Sequence, residues 1–548
     1  MASASASASD AAPPPALAFG LPYDGLVAFA TRALRMLNYG AIAPVFFLYC
    51  LQLGLSEVET GTLLTCILVG DLAITLWLTT RADAMGRRAT LVVGALLKVL
   101  AGAAFALSSN YVVLVAAGIV GVISTSGGEC GPFQAVEGAV LADAVRRQHE
   151  HEQRLARAAA GDGGDEDGDA AAAAAAAKDT AGRVAVMQGY YQAAGYLSQA
   201  AGALASGLAV SRAQAALGMA PLDSYRLVFF AYGAVGGLMA LLYATLSARC
   251  EVKGAKPKPC LPCCPAGGSK AAGGKGAAAA EEEDEEPSAC LTAFGLRRPE
   301  SAHIVLRLCV LFVMDSFAGA FVMQTWIAYW FDKRWAFGSD LVGYLLMASN
   351  VVAGVSGVAA AYFVKKYGPM LTMVASHFPS NLLLLAVPFM PTGWAAAAML
   401  VARFCISQMD VPARNSYVTM VVAPGEMSAA NGITNLVRSL GMAAAPSIVG
   451  YLSSAPADPS PLGGFTRFGS PWLIAGVIKC VYDLSLYGLY LRDATMRDGI
   501  ENAAKRNLQE ASAGRARDKA AAAEAGRLEG RDFGSTKAPL LEAVGGGK

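Results

Sequence analysis

Arg81-Ala-Asp83-Ala-Met-Gly86-Arg87-Arg88 is a tight charged loop between two apolar segments, Gly61 to Leu78 ahead of it and Leu91 to Leu107 behind. Both segments are long enough to cross a bilayer as helices, since about 20 apolar residues cover roughly 30 Å of hydrocarbon. A soluble protein has little use for Asp-x-x-Gly-Arg-Arg at such a point. The loop reads as a turn joining two membrane-crossing helices.

Composition supports that reading. The 548 residues are 55% hydrophobic and 16% charged, whereas soluble domains average roughly 25% charged residues. A formal net charge of +1 offers no basic field for nucleic acid. Residues 1–24 are rich in Ala, Ser and Pro and lack the basic and apolar regions of a signal peptide. They read as a disordered lead-in.

Twelve apolar segments follow, at about 25–51, 58–80, 89–108, 111–145, 183–211 and 225–248, then 302–330, 340–364, 369–390, 393–422, 427–452 and 470–491. The fourth is too long for one span, so its end should project beyond the membrane. Basic residues concentrate in alternate loops: Arg81, Arg87 and Arg88; Arg146, Arg147, Arg154 and Arg157; Arg297 and Arg298; Lys365 and Lys366. The positive-inside rule then places both termini and the 249–301 linker in the cytoplasm. Nothing distinguishes the plasma membrane from an internal one.

The expected organisation is a bundle over 25–248, the linker 249–301, a second bundle over 302–492 and a tail over 493–548. An Ala, Gly and acidic insert at 158–180 and the linker core at 251–289 cannot bury enough apolar surface to fold alone. Cys260, Cys263 and Cys264, with Cys250 and Cys290 nearby, read as a zinc site, as palmitoylated thiols or as plain low-complexity sequence. The last reading asks least.

An internal repeat supports six plus six helices. Gly86 corresponds to Gly368 and Pro132 to Pro412, at offsets near 280. Gly189, Gln192 and Gly207 correspond to Gly432, Asn435 and Gly450 at an offset near 243. The drop falls where the low-complexity insert interrupts the first half.

With Asp83, Gly86, Arg87 and Arg88 in that loop, the chain resembles the major facilitator superfamily over nearly all of 25–491. The resemblance implies an all-α integral membrane protein of twelve transmembrane helices in two pseudo-symmetric six-helix bundles, alternately opening a central site to either side. It also implies that Asp83 gates the cytoplasmic side by facing the start of helix eleven near Ser428. The competing reading is that the loop only orients its helices by charge. Thr79 and Ala84 depart from the family's loop pattern, and the second copy keeps Lys365, Lys366 and Gly368 without the acid. Helix five lacks the Gly-Pro motif of the drug/proton antiporters, which makes drug antiport less favoured.

Ionisable residues at bilayer depth cost at least roughly 2.5–3.5 kcal/mol each, so they are functional candidates. In the first half these are Arg32, Arg35, Asp71, Glu129 and Glu137. Arg35 and Asp71 each lie about 15 Å deep at 1.5 Å per residue, a depth match that suggests an ion pair. Glu137 reads either as a proton carrier or as a solvated residue at the cytoplasmic end. In the second half the candidates are Asp315 and Gln324, Asp410 with Arg414 four residues on, and Asn435 with Arg438. His377 and Asn381 read as packing groups on a peripheral helix. Lys98, Arg403, Lys479 and Asp483 are ambiguous, because long cationic side chains snorkel.

No phosphate-cradling loop, catalytic constellation or metal cluster emerges, so neither an enzyme nor a bound cofactor is expected. The expected function is secondary active transport of a small solute, with anionic solutes favoured by the Arg content and proton coupling by the buried carboxylates. Facilitated uniport, or a non-transporting sensor or scaffold with the same fold, are the alternatives. The partners are the solute, protons and the bilayer, and a monomer suffices.

Overall fold

The computed structural model describes residues 22–121, 123, 133–160, 166–247, 250–251, 298–422, 426–458 and 460–492. Regular structure among them is entirely helical. The first half holds α1 (Tyr23–Ile42), α2 (Phe46–Gln52), α3 (Glu57–Met85), α4 (Arg87–Leu107), α5 (Tyr111–Val120), α6 (Phe133–Ala160), α7 (Glu166–Leu217) and α8 (Pro221–Ala244). The second holds α9 (Pro299–Ala320), α10 (Gln324–Trp335), α11 (Ser339–Tyr367), α12 (Pro369–Ala386), α13 (Gly393–Ser407), α14 (Asp410–Val421), α15 (Met427–Ala444), α16 (Pro446–Ser453) and α17 (Ser470–Arg492). Among the described residues eight helical stretches are long and apolar enough to cross a membrane, or nine if α1 and α2 form one bent span.

Several apolar segments are built from two helices. Between α1 and α2 the chain bends by 46° around Pro44, which has no N–H to continue the ladder. Pro446 likewise opens α16 after α15 ends at Ala444. The 158–180 insert reads from sequence as unable to fold alone, with its Ala run 170–177 open to a helix; α7 starts at Glu166 and carries that helix through the run, 52 residues in all. Its alanine run is the best helix-forming sequence available, and it extends a helix already anchored by packing further along.

Gly86 and Gly368 occupy equivalent junctions, α3 to α4 and α11 to α12, with φ of +97° and +82°. Residues with a Cβ rarely adopt such angles. The repeat also governs where the halves touch. A Cβ on Gly61 would stand 2.4 Å from Pro446 O, and one on Gly450 would stand 2.4 Å from Glu57 O. A Cβ on Gly207 would stand 2.4 Å from Ser339 O, and one on Gly343 would stand 2.9 Å from Ala203 O. Gly61 and Gly343 are repeat partners, as are Gly207 and Gly450. The α3–α16 and α7–α11 crossings are therefore two copies of one contact, closed by the absence of side chains.

The buried apolar clusters are distributed unequally along the helices. One cluster joins both halves at the end bearing Glu57, through Phe46, Phe47, Leu63, Trp326, Tyr329, Trp330, Val449 and Trp472. Toward the end bearing Arg87 the clusters separate. Two contain only first-half residues, around Leu91, Phe133, Tyr243 and Tyr191, and one only second-half residues, around Phe312, Tyr417 and Tyr482. Among the described residues the halves share a core at one end and keep separate cores at the other.

Candidate solute and proton pathway

Glu137 is the centre of the first buried network. Arg35 Nη1 donates to its Oε1 at 2.7 Å, with the two side chains 0% and 1% exposed. Thr31 Oγ1 donates to the same oxygen at 2.9 Å, and the hydroxyls of Tyr191 and Tyr243 donate to the carboxylate as well. Four groups from α1, α7 and α8 thus satisfy one carboxylate on α6, as a buried charge requires. Glu137 is not a solvated end residue. Arg35 pairs with Glu137, and Asp71, matched to Arg35 by depth, is buried as well.

Arg32, one turn away, lays its guanidinium 4.0 Å over the Tyr191 ring and donates to Gln192 at 2.6 Å. Lys98 does not snorkel. It is fully buried, its Nζ 4.5 Å from the rings of both Tyr39 and Tyr232. Among the described residues it has no hydrogen-bond partner, which leaves its charge to the two aromatic faces. Glu129 lies outside the described residues.

The second network gathers five helices. Asp315 on α9 accepts from Lys479 on α17 and stands 3.5 Å from Arg414 on α14. Arg414 also reaches Asp410 at 3.2 Å. His377 on α12 bonds Asp483 on α17 at 2.8 Å, and Asn381 donates to the other oxygen of Asp483 at 2.8 Å. Arg438 on α15 donates to Ser316 at 3.1 Å. Asn435, one turn before it, is exposed. His377 and Asn381, expected as packing groups, belong to this charged network, and so do Lys479 and Asp483.

Polar groups also meet between the halves. Gln199 donates to Gln324 at 3.2 Å, and Gln324 donates to Asn350 at 2.9 Å. Tyr196 donates to Gln408 at 3.0 Å. Beyond them, at the joined end, Phe47 stacks on Tyr329 with centroids 4.4 Å apart. Lys333 pairs with Glu57 at 2.7 Å, and Tyr329 donates to the same carboxylate at 2.9 Å.

At the other end, the Gly86 loop is held by its own half. Glu251 accepts from the backbone N–H groups of Arg87 and Arg88 at 2.7 and 3.1 Å, a carboxylate on the positive end of α4. Arg87 also pairs with Asp143 on α6 at 2.7 Å. The side chains of Asp83 and Ser428 lie outside the described residues, as do Cys260, Cys263, Cys264 and Cys290. Cys250 is buried, and burial pushes its thiol up to about 11. It is a poor member of any reactive thiol cluster.

Comparison with known proteins places this geometry. The Major Facilitator Superfamily profile matches residues 168–446. The chain belongs to the Major Facilitator Superfamily. An uncharacterized membrane protein of Saccharomyces cerevisiae is 23% identical over 429 residues, covering 78% of this chain and 87% of that protein. Among solved structures, the nucleoside transporter NupG is similar with a TM-score of 0.55 and 11% identity, over 86% of this chain and all of that one. A D-xylose-proton symporter gives a TM-score of 0.56 at 13% identity, over 85% and 97%. A bacterial homolog of the human lysosomal transporter Spinster, inward-facing and occupied, gives 0.56 at 14%, over 86% and 96%. Such identities carry the fold alone. Within this superfamily the chain is a membrane transporter and not an enzyme.

Proposed function

We propose that this chain is a secondary active transporter that moves a small organic anion by alternating access between halves spanning 25–248 and 302–492, each of six transmembrane segments. The observation that carries the reading is the unequal division of the core. A shared apolar cluster, the Phe47–Tyr329 stack and the Glu57–Lys333 pair close one end, while the clusters at the other end belong to one half each. That is the form of a carrier sealed on one side and open on the other. With both termini cytoplasmic, the sealed end faces away from the cytoplasm.

Charge supports the anion. Arg403, Arg414, Arg438 and Lys479 stand against Asp315, Asp410 and Asp483 in the second half. Arg32 in the first half adds a buried cation beside the Gln192 amide and the Tyr191 ring. The facing amides Gln192, Gln199, Gln324 and Asn350 both donate and accept, which suits hydroxyl or carbonyl groups on the same solute. Buried carboxylates and a buried imidazole make proton coupling the natural energy source.

The test is an uptake screen across organic acids with full-length protein in liposomes, under inward and zero proton gradients. Accumulation that follows the proton gradient supports the reading. Flux that only equalises concentrations makes the protein a uniporter. No flux of any organic acid, with neutral solutes carried instead, would overturn the anion assignment.

A further inference from the structure

We propose that the coupling proton is carried by His377, held between Asp483 and Asp315 where α9, α12 and α17 meet. The inference rests on the transport reading above and names the group that carries its proton.

His377 is 3% exposed. Its Nδ1 lies 2.8 Å from Asp483 Oδ1 and its Nε2 lies 3.9 Å from Asp315 Oδ1. Both ring nitrogens face carboxylate oxygens. A neutral imidazole has one N–H and can donate to one of them, whereas the doubly protonated ring can donate to both. Uptake adds one proton to the ring and changes no other bond.

The two carboxylates are held differently. Asp483 is fixed by Asn381, whose Nδ2 also lies 3.2 Å from His377 Nδ1. Asp315 is contested. Lys479 holds its Oδ1 and Arg414 stands 3.5 Å from its Oδ2. An N–H on Nε2 and the Lys479 ammonium share one oxygen of Asp315, so a second donor there draws on the charge that holds Lys479. In the structure Lys479 is in contact with Asp315 Oδ1 and His377 Nε2 stands 3.9 Å from it. Protonation draws Asp315 toward α12 and loosens its hold on Lys479 and Arg414. Asp315 precedes Ser316, which anchors Arg438, so the shift reaches a cation on the partly exposed face of α15. One proton on α12 thereby changes which cations a solute meets.

The charged surroundings of His377 are defined on each helix packed against α12. They are Asp315 on α9, Arg403 on α13, Asp410 and Arg414 on α14, and Lys479, Asp483 and the Tyr482 hydroxyl on α17. Helix α11 also packs there and carries its charges, Asp340, Lys365 and Lys366, at its ends. Two carboxylates lie nearest the ring.

The chain has four histidines, so 15N-histidine NMR of the full-length protein in lipid nanodiscs can follow this ring, assigned by its loss in His377→Gln. The expected result is a titrating ring whose midpoint falls by about one pH unit, about tenfold in proton affinity, in Asp483→Asn and in Asp315→Asn. Monodisperse elution of each variant excludes misfolding as the cause. A ring that stays neutral between about pH 4 and 9, or titrates alike in all three proteins, overturns the proposal. Liposome flux separates this from the transport reading. His377→Gln should lose proton-driven accumulation of the screened solute and retain solute exchange at equal concentrations. Unchanged accumulation defeats the histidine alone, and absence of flux in the unmodified protein defeats the transport reading while the ring titration still decides the proton site.

Discussion

Glu137 shows how much of this site lives in single side chains. Removing it takes from the buried Arg35 the carboxylate that pairs with it at 2.7 Å, amid Tyr191, Tyr243 and Phe133. Breaking a buried pair in this way costs about 3–5 kcal/mol. Glu137→Ala should therefore unfold at markedly lower temperature in detergent, followed by tryptophan fluorescence. Glu137→Gln keeps acceptors for Thr31 and the two tyrosines, so it should lose less stability than the alanine variant. Equal melting of both variants and the unmodified protein would mean that Arg35 finds another partner. The sequence marked Arg35 and Glu137 as out of place in lipid, but not as partners. Depth along a helix gives a height and no azimuth, so Asp71 looked as suitable as Glu137. The two tyrosines were invisible for another reason, since an aromatic in an apolar segment looks like ordinary packing until its hydroxyl is located.

Helix-scale features were more legible. Gly86 and Gly368 correspond by position in the repeat, and both have the positive φ that glycine permits. The same register predicts consequences at the crossings. Gly207→Ala places a methyl 2.4 Å from Ser339 O, which backbone cannot yield without α7 and α11 separating. The joined end should open. Spin labels at Leu217 and Trp394, both exposed, should report a longer and broader distance distribution in Gly207→Ala, and likewise in Gly450→Ala. Unchanged distances in both would show that the crossings are not what holds that end shut. Helix-scale reading allows a helix over the Ala run 170–177 and leaves the length of α7 open. Composition set the alanine-rich insert apart as low complexity, although its helix propensity continues that of the apolar segment behind it. His377 reads as a packing group because its helix is expected at the periphery, yet such a helix still turns one face inward, and there His377 meets Asp483.

Across the whole molecule, the bilayer-crossing character and the repeat were legible because both are statistical properties of long stretches. The uneven closure was not, since it depends on how two halves sit together, and nothing local in the chain encodes that. The closing contacts are also concentrated away from the covalent connection between the halves. The connection enters the first half at Glu251, bound to the backbone of Arg87 and Arg88. It leaves at Arg298, whose backbone N–H donates to Glu426 of the second half at 3.0 Å. Each half thus holds its own end of the connection, and their association is supplied at the opposite end by the shared apolar core. It follows that the gene could be divided. Two polypeptides, 1–274 and 275–548, made together in one cell, should find each other in the membrane and copurify through a tag on either one. Recovery of only the tagged fragment would make residues 252–297 an assembly element. Recovery of both would mean that a single chain is a convenience of synthesis for this protein, not a condition of its architecture.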